Sequence, residues 1–105
     1  MPTLRMKTLT CYETEDNWGA DHAYIKVNGE TIWGPVKIND NEDRNVDTDV
    51  AFTSKAIIEL WDKDDHDPDD HLGTHVARKS ELGKGEREAN FRGDDSNYRL
   101  IYEAI

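Results

Sequence analysis

A single cysteine, Cys11, is too few for an intrachain disulfide, so no internal cross-link contributes to the fold. Cys11 sits in an apolar alternation and reads as a small buried hydrophobe rather than a reactive thiol. No apolar run approaches the roughly 20 residues of a membrane-spanning helix, and the N-terminus carries nothing like a secretory signal. The expectation is a soluble chain, with no compartment indicated. Basic residues are scarce: 13 against 23 acidic ones, for a formal net charge of −10. That excess argues against nucleic acid, whose phosphates need a basic surface, and against simple attraction to an anionic membrane. It fits the binding of cations. Gly-rich phosphate loops, nucleophile elbows and Cys/His pairs are also missing, so no enzyme is expected. His22, His66, His71 and His75 match no zinc-site pattern and read as surface residues.

What the chain does contain is short β-rich segments. Its 105 residues make one domain, 1–105, with one modest core. Three Trp, four Tyr and two Phe give that core enough bulk to set aside disorder. Strands are expected near residues 4–12, 23–27, 31–33, 46–52, 56–61, 73–77, 88–91 and 98–102, separated by polar turns. Asn28-Gly29 is a strong two-residue hairpin signal. Gly34-Pro35 is expected to end the third strand, and 37–44 to form a polar loop. The segment 56–61 is the most apolar and therefore central. No helix is expected beyond a single turn within 77–82. The fold class is all-β: an eight-stranded antiparallel Greek-key sandwich.

If every strand reverses direction, alternate connections share an end of the sandwich. Residues 13–22, 37–44, 62–71 and 92–97 then meet at one pole, and they carry 15 of the 23 acidic residues. Crowding carboxylates is costly: two unit charges about 4 Å apart repel by ~1 kcal/mol in water and more in a less polar medium. A hard divalent cation removes that conflict. Calcium takes oxygen ligands in flexible geometry, magnesium keeps more of its water, and zinc prefers nitrogen and sulfur. Oxygen-rich loops therefore point to Ca2+. The densest runs from Asp62 through Asp64, Asp65, Asp67 and Asp69 to Asp70, with Pro68 stiffening it. Asp62 and Asp64 leave a strand end, where alternate residues share a face. An EF-hand is excluded. Counted from Asp62, its fifth position is His66, its sixth Asp67 and its twelfth Gly73, where that motif needs an oxygen ligand, Gly and Glu.

Two segments carry a family resemblance. Trp61-Asp62-Lys63-Asp64, followed by Asp70-His71-Leu72-Gly73, is similar to the third calcium loop of C2 domains: Asp-x-Asp, five residues, Asp, two residues and Gly after an apolar strand. Asp16-Asn17-Trp18-Gly19-Ala20-Asp21-His22-Ala23-Tyr24 resembles their first calcium loop, without its usual proline and one residue shorter. The likeness spans about residues 4–102 and is closest to the type II circular permutation of that fold. It implies calcium ligands at Asp16, Asp21, Asp62, Asp64 and Asp70, with Asp67 where some members hold a further ion. The shortened first loop leaves Glu15 as the alternative to Asp16. Asp43, Asp94 and Asp95 stand near the ions by parity and otherwise read as solvated charge. The basic strand that some C2 domains use for phosphoinositides has no counterpart.

The implied function is a monomeric calcium-binding module whose acidic loops are ordered by Ca2+ to meet a phospholipid or protein partner. The alternative is a domain that calcium merely stabilises. Two ions would leave a formal charge of about −6, so attraction to anionic lipid stays weak. Trp18 is expected to cap the sandwich rather than dip into a membrane.

Overall fold

Strict alternation shapes the most regular strands. In the last one, Tyr98, Leu100, Tyr102 and Ala104 are buried and the residues between them half-buried. In the central one, Ala56, Ile58, Leu60 and Asp62 are inward. Such period-2 patterns bury one face of each sheet. The computed structural model describes residues 1–15 and 19–105. Its strands are β1 (Thr3–Glu13), β2 (Asp21–Val27), β3 (Glu30–Ile38), β4 (Glu42–Ala51), β5 (Lys55–Asp62), β6 (Asp70–Arg78), β7 (Arg87–Phe91) and β8 (Asn97–Ala104). They form two four-stranded sheets, ordered β4-β1-β8-β7 and β3-β2-β5-β6, with every pairing antiparallel. This is the expected eight-stranded sandwich, and the last strand lies beside the first inside one sheet. Short 3-10 turns cover Lys79–Glu81 and Gly93–Asp95.

The core lies between the sheets. Leu4, Met6, Leu9, Phe91, Tyr98, Leu100 and Tyr102 contribute from one, and Ile25, Ile58, Leu60 and Leu72 from the other. Cys11 is buried there, and burial pushes its thiol up to about 11, far from a reactive thiolate. Ile58 is fully buried. Ile58→Val should cost about 0.5–1.5 kcal/mol, read as a lower urea midpoint with unchanged slope.

The mixed faces of the first segment have a local cause. Leu4 and Met6 are buried, then Leu9 and Cys11, so the inward phase slips by one residue. The slip is a β-bulge: between Met6 and Thr8 the register against β8 advances by one residue, from Tyr102 to Ile101, leaving Lys7 as the extra residue. On the other side β4 bulges in turn, with Asp47 at φ 44°.

The largest departures from the expected boundaries flank the β3–β4 connection. β3 does not stop at Gly34-Pro35 but continues through a cis Gly34–Pro35 bond to Ile38. It is an edge strand, where proline's missing N–H is tolerated. Gly34 is required there, because a Cβ would lie 2.4 Å from the Ala23 carbonyl oxygen. The polar loop at 37–44 shrinks accordingly to a tight turn between Ile38 and Glu42. Asn28-Gly29 forms the expected hairpin, with φ of 50° and 85°. Asn28 also braces β5, its Oδ1 accepting the Ile57 N–H at 2.8 Å.

At the end opposite the β1–β2 connection, Tyr102 donates its hydroxyl to Glu81 at 2.6 Å, and the His75 Nε2 lies 2.9 Å from the same hydroxyl oxygen. Burial lowers the His75 pKa, and Glu81 opposes this only in part. A histidine whose folded pKa is depressed stabilises the fold above its unfolded value of about 6.5 and loses that contribution as pH falls. In calcium-free buffer, His75→Gln should therefore flatten the fall in urea stability between pH 7 and pH 5. An unchanged slope would contradict the assignment.

Candidate metal centre

The site grows from strand ends. β2 begins at Asp21 and β5 ends at Asp62, and the two strands are neighbours with Ala23 opposite Asp62. β6 begins at Asp70, directly opposite Asp62. Because the inward face of β5 runs Ile58, Leu60, Asp62, the carboxylate at its end points inward and is only 4% exposed. Its Oδ1 accepts the His22 N–H at 2.8 Å, and the Lys63 N–H returns to the His22 carbonyl at 2.9 Å. Asp21 is 0% exposed. Its Oδ2 accepts the Glu15 N–H at 3.0 Å and also the Tyr98 hydroxyl. Its Oδ1 is buried and has no hydrogen-bond partner among the described residues.

The expected polar convergence is visible in the backbone. The Thr14 N–H donates to Asp40 at 2.9 Å and the Asn41 N–H to the Cys11 carbonyl at 2.8 Å, tying the β3–β4 connection to the end of β1 and to the start of the β1–β2 connection. The β7–β8 turn packs onto β6 through Gly93, where a Cβ would lie 2.8 Å from the Leu72 carbonyl carbon and oxygen. That close approach sets Asp94 beside Asp70.

Among the described residues, two groups of carboxylates result. Glu15, Asp21 and Asp62 place ligand oxygens within 4.8 Å of one another, and so do Glu15, Asp70 and Asp94. Oxygens on opposite sides of one calcium ion stand about 5 Å apart, so each group has the span of a single ion. Every donor is a carboxylate oxygen, and the unpaired Asp21 Oδ1 is the kind of buried atom a cation satisfies. The residues fit calcium.

Of the sequence-based ligands, Asp21, Asp62 and Asp70 lie in these groups, while Asp16 falls outside the described residues, as does Trp18. Asp64 and Asp67 belong to neither group among the described residues. β5 ends at Asp62, so strand alternation does not carry on to Asp64. The Asp64 Oδ1 instead accepts the His66 and Asp67 N–H groups, at 2.9 and 3.2 Å. Those bonds, the His66 one first, hold its pKa below the usual carboxylate range. Asp67 is exposed. Asp69 closes the same loop, accepting the Asp64 N–H at 3.0 Å and the Tyr24 hydroxyl. The Tyr24 bond is the main cause of its lowered pKa.

Glu15 and Asp94, the first an alternative ligand and the second a polar neighbour on sequence grounds, both enter the groups, and Glu15 enters both. Asp43 is instead engaged by the Thr10 hydroxyl at 2.7 Å. Tyr98 is visible in the sequence only as an inward strand residue; no pattern in the chain marks it as a neighbour of Asp21.

No protein-family model matches the sequence, and no curated protein matches it. Solved structures do. One C2 domain aligns over 99% of this chain and 98% of its own, at a TM-score of 0.65 and 17% identity. A C2 domain of plant extended synaptotagmin 1 aligns over 98% of this chain and 90% of its own, at a TM-score of 0.63 and 14% identity. With two antiparallel four-stranded sheets and this coverage, the chain has the fold of a C2 domain.

Proposed function

We propose that the chain is a calcium-binding module, spanning residues 1–105, whose acidic pole is organised by Ca2+ for contact with a lipid or protein partner. Two observations carry this reading: Glu15, Asp21 and Asp62 bring ligand oxygens within 4.8 Å of one another, and the buried Asp21 Oδ1 has no hydrogen-bond donor among the described residues. Asp21 and Asp62 supply inward oxygens from adjacent strands, Glu15 stands in both groups, and Asp70 with Asp94 completes the second. Calcium bound there supplies charge neutralisation and ties the β1–β2, β5–β6 and β7–β8 connections to one another. Asp16, Asp64 and Asp67 remain candidate ligands on the sequence reading. The likeness to C2 domains favours a binding module over an enzyme.

Calorimetric titration with calcium tests this reading. Heat of binding with a defined stoichiometry is expected, and its absence at millimolar calcium would refute the reading. Sedimentation with vesicles of neutral and anionic lipid, with calcium and with chelator, then separates partners. Calcium-dependent pelleting supports a lipid surface. Calcium binding without pelleting favours a protein partner or the purely stabilising role.

A further inference from the structure

We propose that Tyr98 is a positioning residue for the metal centre: its hydroxyl pins one oxygen of Asp21 so that the other is held toward the ion. The inference rests on the calcium reading above. Tyr98 belongs to the sheet β4-β1-β8-β7 and Asp21 to the sheet β3-β2-β5-β6, so their hydrogen bond crosses the sandwich at the acidic pole. Both residues are 0% exposed. Tyr98 is itself fixed by its cross-strand neighbours, Cys11 on β1 and Phe91 on β7. It also lies just beyond the turn that carries Asp94, a member of the second carboxylate group. One residue thus ties Asp21 to the segment bearing Asp94, on opposite sheets.

The asymmetry at Asp21 distinguishes positioning from ordinary core satisfaction. Both donors, the Tyr98 O–H and the Glu15 N–H, fall on Oδ2, and Oδ1 receives none from the described residues although it too is buried. A carboxylate serving only the core would share its donors between its oxygens, because buried polar atoms are nearly always paired. A carboxylate kept for a cation needs the reverse: one oxygen anchored and one free of donors. Groups that anchor a metal ligand from behind typically account for about 10–100-fold in metal affinity.

Tyr98→Phe keeps the ring and removes only the hydroxyl. Calcium titration of both proteins, at a temperature where circular dichroism shows each fully folded, is expected to give at least about ten-fold weaker binding for the variant. Equal affinity within about two-fold, well short of that range, would overturn the positioning role and leave the calcium reading standing. Absence of binding by the wild-type chain would overturn both. A second readout needs no variant. The buried Tyr98 hydroxyl proton, followed by proton NMR in the wild-type chain, should resonate far downfield in chelator and move upfield with calcium, as the ion draws charge from Asp21. A resonance that stays in place while calcium binds would refute the inference even if Tyr98→Phe failed to fold.

Discussion

Withdrawing calcium is expected to lower the melting temperature of this domain by about 10–20 °C. Binding to the native state alone adds RT ln(1 + [L]/Kd), or ~2.7 kcal/mol per site at a hundred-fold excess over Kd. For a domain of about 100 residues, each kcal/mol moves the midpoint by about 4–8 °C. The effect is large because the unliganded state is handicapped twice. Asp21 and Asp62 are almost wholly buried, and each belongs to a group of three carboxylates within 4.8 Å. Burying carboxylates is costly, and crowding them adds repulsion, since the groups themselves consist of acidic residues alone. Calorimetric scans in calcium and in chelator measure the shift directly. A midpoint that ignores calcium would mean that the pole holds its carboxylates by other means.

Asp21→Asn should abolish most of that response without harming the fold. The amide oxygen can still accept from the Tyr98 hydroxyl and the Glu15 N–H, the two donors that meet Asp21. What is lost is the negative charge, together with one member of a crowded acidic trio. The expected result is a calcium affinity about 100-fold lower, equivalent to about 2.8 kcal/mol. In chelator the melting temperature should equal or exceed that of the wild type, since like charges have been thinned. A variant that melts much lower in chelator yet keeps its calcium response would make Asp21 a structural carboxylate and nothing more.

The strand pattern and the polarity of the molecule are legible in the sequence because both follow from period-2 alternation. Once the eight strands alternate in direction, the odd connections have to meet at one end, and Asp21, Asp62 and Asp70 arrive there with them. Local chemistry is harder to read. The phase slip in β1 comes from the Lys7 bulge, which the residues show only as a blurred alternation. β3 passes through Gly34 and Pro35 because it is an edge strand, and edge position is a property of the whole sheet. By spacing, Asp64 is a natural partner for Asp62. The chain leaves the strand after Asp62, however, and aspartate in a turn competes for nearby backbone N–H groups, here those of His66 and Asp67. Glu15 and Asp94 stand near the site on sequence grounds, but their entry into the groups depends on how the β1–β2 and β7–β8 connections lie. Tyr98 reaches Asp21 from the opposite sheet, 77 residues away along the chain, a distance no local pattern encodes.

The central physical claim is that carboxylates from separate connections close on the same cation. Backbone amide NMR during a calcium titration tests it at residue resolution. Saturable shifts should concentrate at Glu15, Asp21, Asp62, Asp70 and Asp94, with the hairpin at Asn28-Gly29 and the far-end residues His75 and Glu81 unmoved. Shifts confined to 64–69, or scattered evenly over the surface as in weak nonspecific binding, would contradict it.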